Sequence, residues 1–174
     1  MLNRERYWRI TSSLGVGLLI LTILLFGLES SQSADKIIVF GILMIISKLQ
    51  IVKVNGSFLS TDFGFVFAGI TILGPIITAL IKAVTTMATQ LYLHREDKSF
   101  QKYLKSMFNV GQYVLSYFFG LAVYGIFDTG LQGNGIWRLI PTAAGVLGYF
   151  MANNFFVEYS LFLQCNRNND NWKR

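Results

Sequence analysis

Charge is scarce in this sequence: Asp, Glu, Lys and Arg make up 14% of its 174 residues. Soluble domains carry about a quarter, so the composition argues against a water-soluble globule. A single cysteine excludes an internal disulfide framework and any cysteine-rich zinc site. Two prolines and 16 glycines exclude a disordered or collagen-like chain. No phosphate-binding glycine loop, zinc-binding helix motif or cluster of carboxylates occurs, so neither metal nor cofactor is expected. Gly15 and Gly17 lack the rest of a dinucleotide fingerprint and read as packing glycines. His94 and Cys165 both end apolar runs, but no local motif makes them a catalytic pair, and the chain reads as non-enzymatic. Basic residues exceed acidic ones by 15 to 9. They fall between apolar runs rather than on a hydrophilic face with interleaved aromatics, so nucleic acid is not an expected partner.

What the chain does have is long apolar runs, which make the lipid bilayer its expected surroundings. A membrane helix needs about 20 mostly apolar residues to cross a core of about 30 Å. On that measure the spans fall at 10–28, 37–52, 58–73, 75–93, 107–127 and 139–164. The first follows Arg4, Arg6 and Arg9 as a signal peptide would, yet it is longer than the usual apolar region of about 7–15 residues, and more spans follow. The second span reaches 52 if Lys48 snorkels to the interface. The third and fourth spans are one run divided at Gly74-Pro75, because proline removes a helix hydrogen bond and restricts its predecessor. Pro75 then opens the fourth helix, where its missing N–H costs nothing. Between the second and third spans, Asn55-Gly56 with β-branched neighbours fits a two-residue hairpin turn. It fits a tight helix–helix turn equally well. The expected fold is an all-α polytopic bundle of six helices in a single domain, with a short β-hairpin between helices 2 and 3 as one alternative.

The basic residues set the orientation. With six spans, Arg4, Arg6, Arg9, Lys48, Lys53, Arg95, Lys98, Lys102, Lys105, Arg167, Lys173 and Arg174 all fall on one side. Only Lys36 and Arg138 fall on the other, and Lys82 lies within a span. Positive residues mark the cytoplasmic side, so both termini are expected there. Tyr7, Trp8, Tyr92, Tyr103 and Trp137 fall near span ends, as an aromatic belt would place them.

Polar residues inside the spans are the candidates for function. Thr78, Lys82, Thr85, Thr86 and Thr89 recur at helical spacing on one face of the fourth span. A mid-helix lysine costs about 2.5–3.5 kcal/mol on insertion scales, so it faces the protein interior or a wet cavity. Two readings of Lys82 stay open: a structural contact, or a pocket for an anionic or carbonyl-bearing ligand. Asn109, Gln112 and Ser116 share a face of the fifth span, and Asn153, Asn154 and Glu158 occupy the sixth. Span directions place Asn109, Gln112 and Glu158 toward the cytoplasm, Asn153 and Asn154 near the middle, and Lys82 in the outer half. Interhelical hydrogen bonds of about 0.6 kcal/mol account for the amides without any ligand. Ala144, Gly148 and Ala152 recur every four residues and read as a helix-packing stripe.

The stretch from Phe63 to Leu93, then MFNVGQYVLSYFFGLAVYGIF, resembles the membrane input domain found in front of bacterial HD-GYP and GGDEF signalling domains. The residues that carry the likeness are Gly74-Pro75, Asn109, Gln112, Leu115-Ser116, Gly120-Leu121, Tyr124 and Asn153-Asn154-Phe155-Phe156. It covers roughly Val52 to Leu163. The chain stops about ten residues after the sixth span, so an output domain would be a separate protein. The same pattern is similar to substrate-binding S components of energy-coupling-factor vitamin transporters, although the alanine-rich first helix of many of these is lacking. These resemblances imply a multi-pass protein of the bacterial cytoplasmic membrane that binds a small molecule. As a sensory module it would act through a signalling output protein. As a transport subunit it would need an ATPase module. A third expectation is an accessory subunit of a membrane complex.

Overall fold

The computed structural model describes residues 3–27, 33–49, 51–54, 57–60, 62–93, 95–96, 99–130 and 139–171. Asn55-Gly56, His94, Trp137 and Arg138, which carry expectations above, lie outside them. Six helices are described: α1 (Arg4–Phe26), α2 (Ala34–Leu49), α3 (Asp62–Leu73), α4 (Pro75–Leu93), α5 (Phe100–Gly130) and α6 (Leu139–Asn171). Between α2 and α3, strands β1 (Ile51–Val54) and β2 (Ser57–Ser60) pair antiparallel, with Ile51 opposite Ser60 and Val54 opposite Ser57. That pairing takes up Ser57–Ser60, so α3 begins at Asp62 rather than 58.

Three helices, α1, α4 and α5, are long and apolar enough to cross a membrane, and this is a membrane protein. The helices α2 and α3 hold 16 and 12 residues. Length does not limit α6, with 33 residues; Asn153, Asn154 and Glu158 dilute its apolar middle. Several helices outrun their expected spans, because charged side chains at a helix end reach out to water while the backbone keeps its internal hydrogen bonds. Thus α1 starts at Arg4, with the Asn3 side chain accepting from the Glu5 N–H, and α5 starts at Phe100 within the charged stretch.

The chain breaks between α3 and α4 at Gly74, whose φ of 83° lies in the left-handed region that favours glycine. Its N–H donates to the Ile70 carbonyl at 3.1 Å, and its own carbonyl accepts from the Thr78 N–H at 3.2 Å. One residue thus closes one helix and opens the next.

Helix α5 is the axis of the bundle, packing on α1, α4 and α6. Its neighbours reach it by glycine. A Cβ on Gly15 would strike the backbone of Gly111, and one on Gly111 would lie 2.5 Å from the Thr11 carbonyl oxygen. A Cβ on Gly120 would lie 2.8 Å from the Gly145 oxygen. The contacts fix helix directions. Tyr7 and Trp8 meet Phe108 while Gly15 meets Gly111, so α1 and α5 run parallel. The Tyr117 hydroxyl donates to the Pro75 carbonyl at 2.7 Å while Lys82 reaches Tyr113, so α4 runs antiparallel to α5. The main core gathers Leu19, Met44, Val66, Ile77, Val114 and Tyr149 from all six helices.

One expectation is corrected and one is extended. Tyr7 and Trp8 do not form a lipid-facing belt; they are buried, with the Tyr7 hydroxyl on the Phe156 carbonyl and the Trp8 indole on Ser160 Oγ at 2.7 Å. The tightest α5–α6 approach is made by Gly145 rather than by the stripe of Ala144, Gly148 and Ala152. Gly148 does pack on Val123, while Ala144 and Ala152 line an apolar groove.

These contacts predict that Gly15→Ala will lower the unfolding temperature in detergent, by overpacking worth about 1–3 kcal/mol. Gly17, where an added Cβ meets nothing within 4 Å, should accept alanine without loss. Equal responses from the two variants in a thermal-unfolding assay would show that α1 and α5 do not meet at Gly15.

Candidate functional site

Helix α4 turns its threonine-lysine face inward: Thr78, Lys82, Thr85, Thr86 and Thr89 are all buried, Lys82 with 1% of its surface exposed. The hydroxyls are mostly spent on their own helix. Thr78 donates to the Gly74 carbonyl, Thr85 to that of Lys82, and Thr89 to that of Thr85, at 2.7, 3.2 and 2.7 Å. Back-bonding of this kind turns the threonine methyl toward the neighbouring helix. Most of this stripe is therefore less polar toward its neighbours than its composition implies.

Thr86 differs. Its Oγ1 accepts a hydrogen bond from the ammonium of Lys48 on α2. The expectation that Lys48 snorkels to the interface is corrected here, because Lys48 is 6% exposed and its side chain is held inside by Thr86 and an aromatic ring. That ring is Tyr113 of α5. The ammonium groups of Lys48 and Lys82 each lie 4.4 Å from its centroid. Helices α2, α4 and α5 thus place two cations on one ring, and each of the three side chains makes further contacts besides these.

Magnitudes show how demanding this arrangement is. The two ammonium groups lie within twice 4.4 Å of each other. At an effective dielectric of about 20 they then repel by at least about 2 kcal/mol. A desolvated cation–π contact returns about 2 kcal/mol, and each buried lysine carries an insertion cost of about 2.5–3.5 kcal/mol. The ring alone offsets the mutual repulsion but not the burial, which falls to Thr86 and the further contacts that both lysines make. The cluster brings two lysine side chains from separate helices onto one ring inside an apolar bundle.

The amides lie elsewhere. Gln112 is 3% exposed, and its Oε1, like Oδ1 of half-buried Asn153, accepts no hydrogen bond. Both are buried acceptors suited to a donor. Asn109 lines a separate cleft between α1, α5 and α6. Asn154 and Glu158 are exposed on α6. The structure therefore gathers Lys82 and Thr86 with Lys48 and Tyr113, and does not gather the α6 candidates with them. Sequence reasoning missed Lys48 as an interior group and Tyr113 altogether. The available signals were a lysine a turn inside the end of an apolar run, and a tyrosine placed within a span instead of at its edge. Among the described residues no group of His, Cys, Asp and Glu could hold a metal ion.

Tyr113→Leu should lower stability by about 1–2 kcal/mol through loss of the ring face, while Tyr113→Phe keeps most of it. In thermal unfolding, Tyr113→Leu and Lys82→Met should be non-additive, as expected of residues in contact. Additive losses would mean that the ring does not stabilise the lysine. Comparison of the chain with protein-family models, with curated proteins and with solved structures finds no match in any of the three.

Proposed function

We propose that this chain is a non-enzymatic sensory module of the bacterial cytoplasmic membrane that binds a small anionic ligand within its bundle and signals through a separate protein. The observation that carries this reading is the convergence of Lys48 and Lys82 on Tyr113. An anion bound between the two ammonium groups touches α2 and α4 together across α5. A ligand shifts a bundle only by favouring one helix arrangement over another, and two cations on separate helices give it that differential grip. Occupancy favours the arrangement in which both lysines reach the ligand.

The bundle crosses the membrane six times with both termini in the cytoplasm. Support comes from the helix directions: α1 runs with α5, while α4 and α6 run against it. Helix α3 rises only about 18 Å and α2 about 24 Å, short of the hydrocarbon core of about 30 Å. Their β-hairpin link sits at the cytoplasmic interface, where water serves its open edges.

Two experiments test this. Small molecules and proteins that co-purify with the native protein in mild detergent are identified by mass spectrometry, beside Lys82→Met and Lys48→Met variants. An anionic compound held by the native protein and lost from both variants is expected, together with a signalling protein. Identical small-molecule profiles would remove the lysines from any site, and an ATPase pair with a coupling protein would make the chain a transport subunit instead. For topology, with Cys165 replaced by serine, a cysteine at Ser33 should react with an impermeant thiol reagent outside the cell and one at Ser99 should not. Labelling of position 99 from outside would overturn the six crossings.

A further inference from the structure

A second site lies away from the lysine pair, where the start of α1, the first turns of α5 and the last turns of α6 meet. They enclose a cleft of about 410 Å³. Its cations come from two helices: Arg4 from α1, and Lys102 and Lys105 from α5. No carboxylate is among its described lining residues. Its floor is rigid and well built. Trp8 and Phe108 stack with ring centroids 5.7 Å apart, and the Trp8 indole is locked to Ser160 Oγ, both residues being 8% exposed. The Arg4 guanidinium lies over the Trp8 ring at 4.6 Å, so its charge is aimed by that floor. Lys102 lies in the first turn of α5, whose N-terminal dipole adds positive potential at the same end. Asn109 and Gln164 supply neutral hydrogen-bonding groups on the walls.

The rest of the rim is apolar. Val157 and Leu161 of α6 border the cleft and are 36% and 54% exposed, and Leu161 leads on to Phe162, also exposed. In a membrane protein such side chains face acyl tails. The cleft is therefore charged and hydrogen-bonding within, and open to hydrocarbon along one edge. A free anion uses the first property only; a phospholipid uses both.

We propose that this cleft is a binding site for an anionic phospholipid, with its phosphate held by Arg4, Lys102 and Lys105 and its acyl chains laid over Val157 and Leu161. The site joins α1, α5 and α6 at their common end, so an occupying lipid adds a tie among the three helices to the aromatic contacts and hydrogen bonds already there. It is independent of the Lys48–Lys82–Tyr113 cluster, and the membrane's own composition sets its occupancy.

The test uses the full chain in a neutral maltoside detergent. Thermal unfolding and native mass spectrometry are followed with added phosphatidylglycerol, phosphatidylcholine or glycerol 1-phosphate. Each basic residue near an anionic surface contributes about fivefold in binding, so phosphatidylglycerol should be preferred over phosphatidylcholine by at least about tenfold. The Arg4→Gln/Lys102→Gln/Lys105→Gln variant should lose that preference, and Lys36→Gln, at the opposite end, should keep it. Should the triple variant fail to fold, Lys105→Glu alone alters an exposed position and must still weaken the preference. Equal binding of the two lipids by the native protein, or a preference unchanged in the cleft variants, overturns the proposal. A full response to glycerol 1-phosphate also overturns it, because the site would then belong to a soluble phosphate compound.

Discussion

Helices in a bilayer gain nothing by hiding from lipid that is as apolar as they are, so they associate where backbones approach closely enough to pack and hydrogen-bond. In this chain that closeness is concentrated on α5. Gly111 lets α1 lie against it, and Gly120 with Gly145 does the same for α6. The other features follow from an axis held on two sides. Phe108, below Gly111, becomes the floor for Trp8 and Tyr7. Tyr113, above it, faces the remaining side, where α4 and α2 bring their lysines. Tyr117, a turn further on, reaches the Pro75 carbonyl at the head of α4. Successive turns of one helix thus present a packing surface, a ring for two cations and an anchor.

Polar groups inside the bundle divide into those satisfied locally and those that tie helices together. Ser12, Ser106 and Ser116 return their hydroxyls to carbonyls four residues back, as Thr78 and Thr89 do. Such groups add little to tertiary structure beyond their shape. The linking groups include Tyr7 to Phe156 and Trp8 to Ser160, Tyr117 to Pro75, and Lys48 to Thr86. They join α1 to α6, α5 to α4, and α2 to α4. Buried acceptors that take no hydrogen bond, on Gln112 and Asn153, belong to neither class and lie on the two helices that pack most tightly.

Helix positions were largely legible in the sequence, because lipid imposes a length and a composition on what can cross it. The Gly74-Pro75 break was legible for a local reason: two residues with special backbone rules stand side by side, and Gly74 adopts the positive φ that suits it. The hairpin rested on Asn55-Gly56 and stayed ambiguous, since a tight helix turn uses the same residues; the antiparallel pairing of Ile51–Val54 with Ser57–Ser60 gives the flanking strands. The site was legible only by halves. Lys82 stood out because a charge in an apolar run has to be explained. Lys48 did not, because a lysine near the end of a run has an ordinary alternative in snorkelling, and only the depth of α2 beside α4 decides between them. Tyr113 could not be found at all, since its role comes from two lysines distant in sequence. Gly145 was passed over for the regular stripe beside it; which glycine meets a partner depends on the crossing point, which periodicity does not encode.

The shared ring also orders the protein's assembly in time. A chain is made from its N-terminus, so Lys48 and Lys82 are both synthesised before Tyr113. During that interval the two lysine-bearing helices have to be housed with their charges turned to water, to the insertion machinery or to lipid headgroups. When α5 arrives it adds the ring to the contacts that hold them inside. A chain interrupted before Tyr113 would leave both lysines without the ring that they share.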